Sequence, residues 1–428
     1  MKTTIAFFRR GAAALCALLF LAAAFCLRIN ASAADGAAPD TAGDSAASLV
    51  SDRDASGEYD ASAAVTLAPG DDLTISEAGI YILSGSYENQ MLTVQAGDED
   101  KVQIVLNNAQ IANADGPAIL VRSADKVFLT AAAGSENSIS DGSGYTLNEG
   151  DTAVDAAVFS KADLTVNGSG SLSITGNTKH AVVSKDDLVV TAKNLIVSSA
   201  ASALTGKDAV TLLDASVSIQ AGTDGIHSEG TVTVLGGSLT AQCGDDAVHA
   251  DGKADIAGGT VTLNAAEGIE ATYVLIRSGD ISIQASDDGI NAAYKSDAYT
   301  PTVEITGGNL TVTMGAGDTD GIDSNGNLII SGGTVSVTAG SAFDFDGSVS
   351  FTGGTVYVNG QQVTELSSQF MGGRGGMGGM GGQGGHGSFG TPPDMSGDIP
   401  AGFGGQPPSG FHGPHGGQGG PGSFGEGS

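Results

Sequence analysis

The sequence predicts an all-β protein, a single-stranded parallel β-helix with three short strands in each coil of about 22 residues. Three observations support this fold class. Glycine is abundant and tryptophan is absent among the 428 residues, and the apolar residues are mostly Ala, Val, Ile and Leu, with few long helix formers. Short segments alternate polar and apolar residues, which is the period of a strand. These segments recur at a nearly constant spacing, which indicates a solenoid.

The repeat is clearest in five segments, each a glycine followed by strict alternation of polar and apolar residues. Leu239 and Val261 are 22 residues apart, and Val335 and Val356 are 21 apart. Strands this short cannot build a fold from hairpins, so we expect each to pair with the equivalent strand one coil away, about 4.8 Å along the axis. The five segments begin at Gly237, Gly259, Gly308, Gly333 and Gly354.

One coil can be assigned in full. We expect Val232 and Val234 to point inward from its first strand, Leu239 and Ala241 from its second, and Val248 from its third. Glycines turn the chain after the first strand, and two acidic residues mark the corner before the third. Stacks of side chains then replace a globular centre, and neighbouring coils stabilise each other.

The β-helix is predicted to span residues 63–366, with insertions at 133–152 and 293–301 that interrupt the period. Residues 34–62 lack apolar periodicity and are predicted to form a flexible linker. Residues 367–428 are rich in glycine, methionine, proline and phenylalanine, and are predicted to form a disordered tail. Association of this tail with a cell wall is one interpretation; a solvated tail is the other.

Residues 1–33 have the features of a secretory signal peptide. Lys2, Arg9 and Arg10 precede an apolar run, and Ala31-Ser32-Ala33 is a small-residue cleavage site. An uncleaved membrane anchor is the alternative, although the apolar run is short for a span. We therefore expect a secreted protein that has no membrane span after cleavage, with attachment to the cell surface left open.

The charge of the chain restricts its partners. The formal net charge is −31 at pH 7, which excludes unaided binding to nucleic acids and to anionic membranes. Apolar periodicity argues against disorder of the main body. The carboxylates are therefore expected to bind cations.

One corner of the coil carries a recurring acidic residue, usually followed by glycine and an apolar residue. We define the acidic ladder as the acids at 224, 246, 267, 288, 320 and 344, whose first three steps are 22, 21 and 21 residues and whose next is 32 because of the second insertion.

Stacked like charges repel, whereas Ca²⁺ binds oxygens at about 2.3–2.6 Å and fits between coils about 4.8 Å apart. Glycine is expected to allow the sharp turn and to expose carbonyl ligands. Ordinary Asp-Gly turn chemistry is the alternative, but the recurrence in register favours calcium. The predicted Ca²⁺ ligands are Asp224, Asp245, Asp246, Glu267, Glu270, Asp287, Asp288, Asp320, Asp323, Asp344 and Asp346.

Two further pairs of side chains lie beside the ladder. His227 and His249 are expected to stack one coil apart, either as ligands of a transition metal or as surface residues of the third strand. Tyr294 and Tyr299, in the second insertion, are predicted carbohydrate-binding residues that would stack on sugar rings; loop packing is the alternative.

Six motifs recur along the chain in this order: Tyr81-Ile82-Leu83-Ser84-Gly85-Ser86, Gly97-Asp98-Glu99-Asp100-Lys101-Val102, Asp115-Gly116-Pro117-Ala118-Ile119, Phe159-Ser160-Lys161-Ala162-Asp163-Leu164, Gly168-Ser169-Gly170-Ser171-Leu172 and Val183-Ser184-Lys185-Asp186-Asp187-Leu188. In this order they resemble the motifs of a family of secreted clostridial carbohydrate-binding-domain proteins. The resemblance covers roughly residues 65–360. It implies a right-handed, pectate-lyase-like helix, bound calcium, and binding to plant cell-wall polysaccharides such as pectin or cellulose. One departure lies at 202–208, where the family pattern has an Asp-Gly corner, so the usable ladder is expected to start at Asp224.

These observations favour a calcium-dependent protein that binds plant cell-wall polysaccharide, such as polygalacturonate or cellulose, rather than an enzyme. A polysaccharide lyase needs a base beside the calcium, and Arg277 and Lys295 are the nearby candidates. A hydrolase needs paired carboxylates, which the acidic pairs at 245–246 and 287–288 would have to supply. A calcium-braced structural or adhesive surface protein is the third alternative.

Overall fold

The computed structural model describes residues 49–368, apart from 71–72, 147–150, 152 and 317–318. The described chain forms a parallel β-solenoid of about 12 turns with about 23 residues per turn, which confirms the predicted parallel β-helix. A short α-helix, Asp52–Ser56, and a 3-10 helix, Ala61–Ala63, precede the strands.

The strands lie on three faces, and each pairs in parallel with its equivalent in the next coil. Face 1 contains β1 (Val65–Leu67), β7 (Lys126–Ala131), β10 (Asp163–Gly168), β13 (Leu188–Val190), β16 (Ala209–Leu212), β24 (Thr302–Ile305), β27 (Asn327–Ile330) and β30 (Val349–Phe351). Face 2 contains β8 (Glu136–Asp141), β11 (Ser171–Gly176), β14 (Leu195–Ser199), β17 (Ala215–Ala221), β22 (Asp280–Ala285), β25 (Asn309–Met314), β28 (Thr334–Thr338) and β31 (Thr355–Val358). Face 3 contains β2 (Thr74–Ile75), β4 (Leu92–Gln95), β6 (Ile119–Ser123), β9 (Ala156–Ser160), β12 (His180–Ser184), β15 (Leu204–Gly206), β18 (Ile226–Ser228), β23 (Ile290–Ala292), β26 (Asp320–Ser324) and β29 (Ser341–Phe345).

Some strands bend from one face to the next without interruption, which differs from the expected three separate strands per coil. Strands β3 (Gly79–Glu88), β5 (Lys101–Asn113) and β19 (Thr231–Cys243) run from face 1 to face 2. Strand β21 (Glu267–Ile276) runs from face 3 to face 1, and β20 (Asp246–Ala265) covers all three faces. The backbone pairs on both sides of each bend, with register shifts at the corners. Strand β32 (Gln361–Val363) pairs antiparallel with β31.

The core consists of columns of apolar side chains, as the alternating pattern predicted. Val232, Val234, Leu239, Ala241 and Val248 are all buried. The glycine turns are confirmed as well, because the glycines that open the five repeat segments have φ between 77° and 93°, a region that L side chains rarely adopt.

Part of the predicted flexible linker is ordered and lies against face 1. The short α-helix has a capping box between Ser51 and Asp54, and Asp54 is 2% exposed. Its carboxylate contacts Lys126 at 2.9 Å and accepts a hydrogen bond from Thr165, while its backbone carbonyl accepts one from Thr191 at 2.6 Å. A short polar helix therefore binds three successive coils through hydrogen bonds, a contact that apolar periodicity does not reveal.

The insertions differ in form. Residues 293–301 form the expected loop between β23 and β24. Within 133–152, however, Glu136–Asp141 is a regular strand of face 2, and the excursion follows it. Val154 of this excursion packs with Leu120, Phe159 and Val183, so it covers an apolar patch on the outer side of face 3.

No helix in the described part of the chain is long and apolar enough to cross a membrane. The predicted signal peptide lies outside the described residues, as does the predicted tail apart from residues 367–368.

The contact between the helix and face 1 can be tested by substitution. Asp54→Asn leaves the largely buried Lys126 without its charge partner, and we expect a loss of about 2–3 kcal/mol in stability. Undocking also exposes the bond after Arg53, so trypsin should cleave there faster. The control is Asp52→Asn, since Asp52 is exposed in the same helix. Equal melting temperatures and cleavage rates for the two variants would contradict this account.

Candidate functional site

The outer surface of face 3 carries two columns of side chains, a corner column and an outward column. Both are located relative to a third column, which points into the core. Ile226, Val248, Ile269, Ile290 and Ile322 form an inward column in register. The corner column lies two residues before these positions, and the outward column lies one residue after them. The corner column contains Asp224, Asp246, Glu267, Asp288 and Asp320, and the outward column contains His227, His249, Glu270, Asn291, Asp323 and Asp344.

The corner glycines serve a different purpose from the one expected. Gly268 and Gly289 do not have positive φ, but a Cβ on Gly289 would lie 2.4 Å from the carbonyl of Gly321. The amide of Gly268 donates to the carbonyl of Asp288 at 3.0 Å, and the amide of Ile269 donates to the carbonyl of Gly289 at 3.3 Å. Glycine therefore permits the close stacking of coils. These two carbonyls already accept backbone hydrogen bonds, so the expectation that the corners expose carbonyl ligands is not met here.

The structure changes the position of some predicted ligands. Asp344 pairs in register with Asp323, so it belongs to the outward column, and Ser341 occupies the equivalent corner. Asp245 and Asp287 are exposed, whereas the residues that follow them, Asp246 and Asp288, are buried or half-buried. The two members of each acidic pair therefore differ in exposure.

The first part of the ladder lies beside basic side chains, while burial and the charge of Glu270 raise the pKa of Asp246 to about 6. Nδ1 of His227 lies 3.0 Å from Asp224, and Nδ1 of His249 lies 2.7 Å from Asp246. His249 also contacts Glu270 at 2.9 Å, and Lys295 contacts the other oxygen of Glu270 at 2.8 Å. We call these six residues the histidine cluster.

The histidine stack is regular and partly buried. The rings of His227 and His249 are parallel within 5°, with centroids 4.7 Å apart, which is one coil rise. Burial opposes the charged form of His249, but its hydrogen bonds to Asp246 and Glu270 outweigh this effect and raise its pKa to about 10. Burial also acts on Lys295 and is outweighed by Glu270, so the pKa of Lys295 is raised. Both groups are therefore cationic at neutral pH.

The second part of the ladder has a different composition. Asp288, Asp320, Asp323, Asp344 and Asp346, together with the amide of Asn291, form what we call the acidic cluster. Within the described residues, Asp288, Asp323 and Asp344 make no ion pair with a basic side chain. Asn291 donates to Glu267 at 3.1 Å. Its Oδ1 is buried and accepts no hydrogen bond from the described residues.

Burial and charge repulsion raise the pKa values of three carboxylates of face 3. Burial and the charges of Asp288, Asp320 and Asp344 raise the pKa of Asp323 to about 7. Burial and the charges of Asp287 and Asp320 raise the pKa of Asp288 to about 6. Burial, Glu270 and Asp246 raise the pKa of Glu267 to about 8. These carboxylates therefore resist ionisation, and a bound cation would relieve the repulsion.

Two groups of residues offer metal ligands of different chemistry. Carboxylates and the orphaned Oδ1 of Asn291 form an all-oxygen set, which suits Ca²⁺. Asp246, His249 and Glu270 offer three ligand atoms within 4.8 Å of one another, but the ring nitrogens of His249 face carboxylates that already neutralise it. The donor chemistry of the acidic cluster thus suits calcium, whereas in the described part of the chain the three ligand atoms that lie within 4.8 Å of one another belong to Asp246, His249 and Glu270.

The predicted aromatic and basic residues are separated by the fold. Tyr294 is 73% exposed beside Lys295 and is available to a ligand, while Tyr299 packs at 5.7 Å against Tyr273. Arg277 pairs with Asp255 at 2.9 Å on face 1, away from face 3. Lys295 lies near the ladder, but its pKa is raised, which is the wrong direction for a general base.

Comparisons with known proteins agree with the sequence motifs. A family model described as carbohydrate-binding domain-containing protein matches residues 69–316 and 266–363. A protein of that description from Acetivibrio thermocellus is 28% identical over 129 residues, which is 30% of this chain and 45% of that protein. A solved structure of the polysaccharide lyase-like protein from C. thermocellum, a gadolinium derivative, has a TM-score of 0.32 and 21% identity, covering 70% of this chain and 94% of that one. The family match confirms the resemblance that the motifs predicted.

The two parts of the ladder should respond oppositely to loss of a carboxylate. In EDTA, Asp323→Asn removes a repelling charge and should raise stability by about 1 kcal/mol, whereas Asp246→Asn leaves His249 with one partner fewer and should lower it. In Ca²⁺, Asp323→Asn should lower the stabilisation by the ion. Thermal unfolding measures both effects, and Asp287→Asn, exposed beside Asp288, is the control. A lower melting temperature for Asp323→Asn in EDTA would contradict the assignment.

The pH dependence follows from the raised pKa values of Asp323 and Glu267. Between about pH 4 and pH 8 the folded state holds more protons than the unfolded state, so in EDTA these groups make stability fall as pH rises. Calcium binds the deprotonated form, so its stabilising effect should grow over the same range. Melting temperatures with and without Ca²⁺ from pH 4 to pH 8 test this, and a calcium effect that is constant with pH would disprove it.

Proposed function

We propose, because this chain belongs to the family of carbohydrate-binding domain-containing proteins, that it binds acidic plant cell-wall polysaccharide outside the cell through Ca²⁺ held by the acidic cluster. The ion would neutralise the protein carboxylates and leave coordination positions for carboxylates of the polymer, because Ca²⁺ accepts six to eight oxygen ligands. A bridging cation also explains how a chain with net charge −31 can bind a polyanion.

The observation that carries the proposal is the contrast between the two clusters. The carboxylates of the histidine cluster have basic partners, whereas Asp288, Asp323 and Asp344 repel one another on the same face. A surface used only for folding would gain by replacing one of these acids with a neutral residue. Their recurrence in register favours a ligand, and Asn291 adds a neutral oxygen to the set.

Binding is favoured over the lyase alternative by the state of the basic groups. A lyase needs a neutral base beside the bound ion. Lys295 is paired with Glu270, its pKa is raised, and Arg277 lies on another face. Exposed Tyr294 lies next to Lys295 and offers a ring to a sugar. Sugar binding thus accounts for more of the face than bond cleavage does.

Titration calorimetry with oligogalacturonates tests the proposal. Binding is expected in Ca²⁺ and not in EDTA, and Asp288→Asn with Asp323→Asn should weaken it at least ten-fold because the bridging ion is lost. Asp287→Asn should bind as the wild type does. Equal binding in EDTA would exclude the calcium bridge. Failure to bind pectic polymers or cellulose in either condition would favour the structural or adhesive alternative.

A further inference from the structure

Face 3 carries basic side chains as well as acidic ones. Lys161, Lys185 and Lys207 follow strands β9, β12 and β15, whose last residues pair in register. The three lysines therefore form a column along one edge of the face, in coils that precede the acidic ladder. This column was not predicted from the sequence, because its lysines lie in coils without the recurring acidic corner.

Two of these lysines line a cleft in the outer surface of face 3. The cleft has a volume of about 200 Å³ and also contains Lys179, His180 and Thr205. Its acidic members are Asp155, which binds Lys179 at 2.7 Å, and Glu229. In a chain with 17 basic and 48 acidic residues, three lysines around one cleft are a marked concentration of positive charge. We call it the lysine cleft.

The cationic groups of the lysine cleft differ in how they are neutralised. Lys207 pairs with Asp208 at 3.3 Å, and both side chains are about half exposed, so water screens the pair and it contributes little. Lys185 makes no ion pair with a carboxylate of the described residues; its Nζ lies 5.8 Å from the ring of Phe159. Lys185 therefore retains a charge that an anion can use.

Two residues that line the lysine cleft each have a buried polar atom without a hydrogen-bond partner. Nδ1 of His180 and Oγ1 of Thr205 are buried, and neither forms a hydrogen bond with the described residues. A buried polar atom without a partner costs about 1–3 kcal/mol. Both atoms can donate, as can the ammonium groups of Lys185 and Lys207. A carboxylate accepts several hydrogen bonds at once and matches this set of donors.

We propose that the lysine cleft is a second subsite, which binds a carboxylate group of a uronate residue directly, without a metal ion. This inference rests on the proposed function, since it places the same acidic polymer on the same face. From Thr205 the outward column runs through His227, His249 and Glu270 to Asn291. Four coils separate the ends, a distance of about 19 Å. One extended oligosaccharide can then reach the lysine cleft and the acidic cluster together.

The two subsites predict a dependence on ligand length. An oligogalacturonate longer than about 19 Å binds at both subsites, and the second contact is intramolecular, so affinity rises steeply with length. A shorter ligand engages only one subsite. Direct pairing with lysine also makes binding weaken as salt increases.

The experiment uses the full chain with Ca²⁺ present and long oligogalacturonates as the probe. The double variant Lys185→Gln/Lys207→Gln should weaken binding about ten-fold and reduce its salt dependence. Lys193→Gln is the matched control, because Lys193 is exposed and contacts the carbonyl of Asp214 instead of the cleft. For short oligomers at the acidic cluster, the double variant should bind like the wild type. Thr205→Val, which removes one donor and keeps the shape, should weaken binding of the long oligomers while the melting temperature holds.

Ligand chemistry separates a uronate site from a general anion site. Fully methyl-esterified oligomers keep the sugar chain but lose the carboxylates. The wild type and the double variant should therefore bind them with equal affinity. Inorganic phosphate should compete only weakly at the same ionic strength; strong competition would show a phosphate site and overturn the assignment.

The two proposals fail in different ways. Calcium-dependent binding of long oligomers that is unchanged in Lys185→Gln/Lys207→Gln overturns the lysine subsite and leaves the proposed function standing. Absence of oligogalacturonate binding by the wild type overturns both.

Discussion

The stacking of coils about 4.8 Å apart is the constraint on which the rest of this structure depends. It places each side chain against the equivalent residue of the next coil, so side chains of the same type form a continuous column. For Val248 and Ile269 the result is a continuous apolar core. For carboxylates the same geometry produces repulsion. Each charged column therefore needs compensation, and the structure uses a different form of it in different coils.

Compensation changes along face 3. In the earlier coils an excursion of the chain covers Leu120 and Phe159, and apolar contacts are sufficient. In the middle coils, His227 and His249 stack on each other, and each contacts a carboxylate of the corner column. In the later coils the acids of the acidic cluster lie on one face, and burial and charge repulsion raise the pKa values of Asp288 and Asp323. Along the chain, face 3 thus changes from apolar contacts, through contacts between histidines and carboxylates, to carboxylates without basic partners.

Much of this could be predicted from the sequence, because the coil period determines both the core and the columns. Inward residues such as Leu239 and Val335, and the glycine turns, follow directly from alternation and spacing. The position of Asp344 could not be derived, since a change of one residue in a corner moves a side chain to another column. Neither could the docking of Asp54 on face 1, because it depends on hydrogen bonds between residues more than 100 positions apart.

The same repetition relates the fold to its ligand. A polysaccharide is also a one-dimensional repeat, so a column of equivalent side chains can contact successive sugars along its length. The acidic cluster, which includes Asp323, requires a cation before it can bind a polyanion, whereas Lys185 and Lys207 can bind one directly. Face 3 therefore offers two kinds of contact in different coils. Under the proposed binding mode, affinity would depend on how many coils a polymer spans, because each added contact is intramolecular, and a solenoid of about 12 turns would favour long acidic chains over short ones without a deep pocket.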